Sequence, residues 1–140
     1  MKRTYWWTAI LAVLTLPAAS SCGDAKLTDP APVPGMLIVA LDGGTTPAGA
    51  VHLILRGQGI AAPTSVDPTR QLFVQALDTE PTSYRIVVIG ERVAGALFAF
   101  AVPDVNRRDA YSVTLLEVAD ETNQLRSDVA QFRLSVLREQ

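Results

Sequence analysis

Cysteine occurs once, at Cys22, and histidine once, at His52. A disulfide within one chain is therefore excluded, and a zinc site would have to be built from carboxylates around a single imidazole, a poor ligand set. Both tryptophans, Trp6 and Trp7, lie near the start, so the rest of the chain lacks the flat indole platform usual in sugar-binding sandwiches. Serines and acids are plentiful, yet no strand-to-helix nucleophile elbow selects a serine for a Ser/His/Asp arrangement. His52 reads as a residue on the less buried face of a strand, and the expectation is a protein that is not an enzyme.

Positive charge is also scarce. Beyond residue 21, ten basic side chains stand against fourteen acidic ones, a net charge of −4, and Lys26 is the only lysine among them. The arginines are scattered, with Arg107 and Arg108 the densest pair in an expected solvated loop. Phosphate neutralisation needs a concentrated basic face, so nucleic acid is not an expected partner.

The most specific chemical signal lies near the beginning. Lys2 and Arg3 precede twenty uncharged residues, Thr4 to Gly23, a length that at ~1.5 Å per residue would nearly cross a bilayer core of ~30 Å. Pro17 interrupts a helix, and the small residues Ala18, Ala19, Ser20 and Ser21 follow, which marks a cleavage region rather than the end of a spanning helix. Residues 1–21 are expected to be a signal peptide.

The stretch Ala19-Ser20-Ser21-Cys22 resembles the lipobox of bacterial lipoproteins. Ala19 departs from the leucine most often found there. The resemblance implies cleavage before Cys22, lipidation of its thiol, acylation of the new amino terminus and membrane lipid as partner. Three acyl chains hold far more firmly than one, at ~0.8 kcal/mol per buried CH₂. Gly23 takes the place of the aspartate that retains lipoproteins in the inner membrane of the best-studied sorting system. Resemblance therefore favours the outer membrane where the organism has one.

Pro30, Pro32 and Pro34 alternate with other residues, so 22–35 reads as a semi-rigid extended tether. The domain proper is expected over 36–140. Seven apolar runs, 36–42, 50–57, 70–78, 84–90, 95–104, 111–120 and 130–138, alternate with turn formers, and no run has helical length and period. This predicts an all-β, immunoglobulin-like or cohesin-like β-sandwich of about seven strands.

Period-two alternation assigns the faces. Val51, Leu53 and Leu55 should point inward and His52, Ile54 and Arg56 outward. Phe132, Leu134 and Val136 make a second inner row. Ala96, Phe98, Phe100 and Val102 should share one face, with Leu97, Ala99 and Ala101 on the other. Residues 85–90 are apolar on both faces, through Ile86 and Val88 and through Val87 and Ile89; this predicts a central strand whose outer face is covered by a loop or, as the alternative, exposed as a patch that docks a partner.

The runs from Gly49 through Leu125 look distantly like cohesin-like bacterial sandwiches, in a short strand, a glycine turn, a long apolar strand and a Val/Leu-rich strand ending in an acidic turn. That resemblance implies protein–protein attachment at the cell surface and carries no binding residue over. The leading expectation is a lipid-anchored envelope protein, without cofactor, whose sandwich binds an envelope protein or polysaccharide. The alternative is a calcium-dependent or catalytic carbohydrate module. It would use Asp104, Asp109 and Asp120, with Asn106, Glu121 and Asn123, from two loops at one end of the sandwich.

Overall fold

The structure is a computed structural model that describes residues 29–43, 47–80 and 82–139. Cys22 and the leader lie outside the described residues. The compact unit holding the strands runs from Ala31 to Gln140.

Among the described residues it has eight strands: β1 (Gly35–Gly43), β2 (Ala48–Arg56), β3 (Thr64–Ser65), β4 (Gln71–Ala76), β5 (Ser83–Val93), β6 (Gly95–Val102), β7 (Ser112–Ala119) and β8 (Phe132–Arg138). They make two four-stranded antiparallel sheets, a first with order β3-β6-β1-β8 and a second with order β4-β5-β2-β7. The protein is a β-sandwich. The eighth strand is β3, whose two residues are too short to leave a period in the sequence.

The inner rows of both sheets build one core. Val51, Leu53 and Leu55 are buried as the alternation requires, and they meet Leu37, Val39, Ile86, Val88, Phe98 and Phe100. Phe132 is buried, with Leu134 and Val136 packed partly against the core. Tyr84 and Tyr111 are buried too, and the Tyr111 ring meets Phe100 edge-on at 6.0 Å between centroids.

The β6 assignment needs correction. Leu97 is buried and Ala96 exposed, the reverse of simple alternation. Val39 pairs with Phe98 while Ala40 pairs with Ala96, so Leu97 is an extra residue in a β-bulge that resets the parity of the strand. Gly95, at φ 71°, begins the strand in a conformation that other residues adopt at a cost.

Other joints are polar. Arg70 donates to the carbonyl oxygens of Ala96 (2.8 Å) and Ala94 (2.9 Å) and pairs with Asp67, tying the start of β4 to the β5–β6 connection. Asp78 accepts from Thr82 and Ser83 and closes the β4–β5 turn; these bonds hold its carboxyl below the ordinary value. Val33 is latched to the domain by its N–H on Asp104 (3.2 Å) and its carbonyl under Val105 N–H (2.8 Å).

Without a disulfide, stability rests on this packing. Phe100→Ala is expected to cost about 3–5 kcal/mol in denaturant unfolding, against less than about 0.5 kcal/mol for a change at exposed Arg107. The check is a urea titration followed by circular dichroism.

Candidate functional site

The outer face of the second sheet is unlike an ordinary solvated face. One transverse row crosses all four strands: Phe73 of β4 is opposite Val87 of β5, Val87 opposite His52 of β2, and His52 opposite Glu117 of β7. A neighbouring row runs Gln71, Ile89, Ala50 and Ala119, and Ala119 makes an isolated bridge to Leu125. Phe73 is 54% exposed, Ile89 38%, Leu116 40% and Leu125 72%. The expected loop cover over Val87 and Ile89 is thus corrected: β5 is central, between β4 and β2, but Val87 is only partly buried and Ile89 is exposed.

His52 sits in the middle of this surface. Its Nδ1 lies 2.9 Å from Glu117 Oε2, and its buried Nε2 has no hydrogen-bond partner. With Glu117 ionised, Nδ1 carries the proton and donates it to the carboxylate. Such a pair activates a nucleophile only where a hydroxyl or thiol reaches Nε2, and among the described residues none does; the geometry orients the imidazole. Around it is a depression of about 220 Å³, lined by Ala50, His52, Val87, Glu117, Ala119 and Leu125. Small-molecule sites typically run about 300–1,000 Å³, so this one suits a protruding side chain better than a whole ligand.

A bulge puts Glu117 there. His52 pairs with Glu117 and Leu53 with Leu115, which leaves Leu116 as an extra residue on β7. In an unbroken strand, inward-facing Val113 and Leu115 would carry Glu117 into the core. The extra residue turns Glu117 outward and lets Val118 bury fully beside Val51. Glu117 was not among the residues singled out from sequence. The signal was the pair Leu115-Leu116, which breaks the alternation between Val113 and Val118.

The acidic loops do not meet. Residues 103–111 precede β7 and residues 120–131 follow it, so the eight residues of that strand, about 26 Å at ~3.3 Å each, separate them. The expectation that they share one end of the sandwich is overturned by this connectivity. Asp104 and Asp120 instead shape their own turns. Asp104 accepts from Val33 and Asn106, while Asp120 accepts from Thr122 N–H and hydroxyl and from Gln124 N–H, at 2.7–2.9 Å. Asp109 lies in a short exposed 3-10 turn, and among the described residues no three metal-ligating side chains come together. Larger hollows of about 570 and 480 Å³ lie at strand ends, where Asp78 and Arg70 are already engaged within the chain.

The Gln124 N–H, then the Thr122 hydroxyl and N–H, with the charge of Arg126, hold the Asp120 carboxyl below its ordinary 3.8. A lowered folded-state pKa contributes stability that is complete above the unfolded value and is lost as pH falls through the folded one. Asp120→Ala is therefore expected to lower Tm at pH 7, with the gap from wild type closing as pH drops below about 4.

The bulge gives a sharper test. Deleting Leu116 leaves Leu115 opposite Leu53 and Glu117 opposite His52 in a regular ladder, so the shortened chain should fold. Deleting Val87, in the part of β5 that pairs in unbroken register with β4, inverts the faces beyond it and should abolish cooperative melting. Circular dichroism melts of the two deletions check this pair.

No protein-family model matches the chain, and no curated protein or solved structure matches it; the fold and the His52–Glu117 face are the ground for its function.

Proposed function

We propose that the chain is a lipid-anchored cell-envelope protein whose sandwich works by non-catalytic attachment to another envelope protein. The observation that carries this reading is the apolar outer face of the second sheet. Phe73, Val87, Ile89, Leu116 and Leu125 surround one oriented imidazole on a face that the described loops leave largely open. Exposed contiguous apolar surface of this kind marks protein–protein contact. The carboxylate of Glu117, exposed and held against His52 Nδ1, gives the face a charged acceptor, suited to a hydroxyl or amide N–H beside an apolar side chain in the depression.

An apolar protein surface fits this face better than a polysaccharide does. Sugars call for flat aromatic platforms and convergent polar groups, and the central row offers one phenyl ring, Phe73. No helix among the described residues is long and apolar enough to cross a membrane. The anchor rests instead on Cys22 and the small residues before it. Membrane lipid through Cys22 is the first partner, with the outer membrane favoured where there is one.

Mass spectrometry of the protein from the membrane fraction tests the anchor: the chain should begin at Cys22 and carry diacylglyceryl and acyl mass. Retention of residues 1–21 or an unmodified thiol would overturn it. The attachment face is tested separately. Leu116→Glu with Leu125→Glu should leave Tm within a few degrees of wild type and abolish recovery of a cross-linked envelope protein.

A further inference from the structure

A two-sheet sandwich has four edge strands, and three of these are blunted against pairing with another chain. β3 has two residues. β8 carries Arg133 and Arg138. β7 is bulged at Leu116, carries Glu117, and has its end covered by residues 120–126 through the Ala119–Leu125 bridge and the Arg126 N–H on Val118. Among the described residues, β4 has none of these devices. Gln71–Ala76 is six residues in unbroken register with β5, with no charge, proline or bulge, and Phe73, Val74 and Leu77 are exposed along it. Long, flat, apolar edges template strand addition unless something uses or blocks them.

The hydrogen-bond phase of this edge follows from the turn. Leu77 N–H donates to Ser83, its direct partner across the hairpin, so Gln71, Phe73 and Gln75 spend their backbone groups on β5. Leu72, Val74 and Ala76 direct theirs away from the sheet.

We propose that β4 is a self-association edge. On it, β4 of a second copy adds antiparallel about a two-fold axis through Val74, joining two second sheets into one eight-stranded sheet. Faces match only when partners keep the same parity, which limits the register to steps of two residues. Centring on Val74 uses all three outward residues, as Leu72 with Ala76, Val74 with Val74 and Ala76 with Leu72, for six hydrogen bonds. The same register sets large residues beside smaller or flexible ones, Phe73 by Gln75 and Leu77 by Gln71. It also sets the Arg70 end of each strand opposite the Asp78 end of the other. Arg70 and Asp78 keep their partners within the chain, yet their charges complement across the axis. Centring on Phe73 would form four hydrogen bonds and set Arg70 opposite Ala76. The contact is isologous, so it closes at two copies. It rests on the sheet edge alone and is independent of whether Cys22 carries lipid.

The test is the association state of the full chain in detergent solution, by sedimentation equilibrium. Wild type should be dimeric, and Val74→Lys and Val74→Pro should each weaken the dimer at least about 10-fold. The lysine sets two ammonium groups against each other on the axis; the proline removes only an outward N–H. Both variants should melt cooperatively, and the lysine variant carries the test where proline disturbs the fold. Val74→Cys should yield a disulfide-linked dimer through residue 74 on mild oxidation, and Leu125→Cys none through residue 125. A monomer at all concentrations overturns the proposal, as do a dimer indifferent to both substitutions, an open polymer, or another protein's strand bound at β4.

Discussion

Burial of one sheet's inner row against the other is the interaction on which the rest depends. No disulfide supports it, so the contacts of Phe98, Phe100, Leu53, Leu55, Ile86 and Val88 must exceed the conformational entropy lost by eight strands. This requirement explains two irregularities of the strands. At Leu97 and at Leu116 the sequence carries one residue too many for strict alternation, and each time a bulge absorbs it so that the inner row stays apolar. The outward position of Glu117 is thus a by-product of burying Val118.

The sequence made the sandwich legible wherever a strand keeps its period. Residues 51–55 of β2 and 132–136 of β8 face as their alternation says, because neither stretch is bulged within the inner row. The faces of Ala96 and Leu97 were not legible, since a bulge is a property of the pair of strands and only one strand is visible in a local pattern. The opposite placement of the acidic loops, by contrast, was legible: the run 111–120 reads as one strand, and two loops that flank one strand lie at its opposite ends.

His52 was legible as an outward-facing strand residue, and its surroundings were not. Its neighbours Phe73, Val87 and Glu117 come from strands 21, 35 and 65 positions away in the chain, and only strand order and register align them. Pairing sets the chemistry of the row. A partly exposed imidazole held by a carboxylate at one side faces two apolar neighbours at the other, so the surface combines one directional hydrogen bond with a broad apolar contact.

The latch at Val33 has a mechanical consequence. Residues before Gly35 feed into β1, an interior strand paired over seven positions with β6 on one side and seven with β8 on the other. Tension transmitted through those residues runs along β1 and perpendicular to its hydrogen bonds. Many of them share the load in shear instead of opening one after another. Asp104 and Val105, holding Val33, would yield first, as a short sacrificial link ahead of the sheet. Drag applied to the domain would lengthen its lead before it threatened the fold.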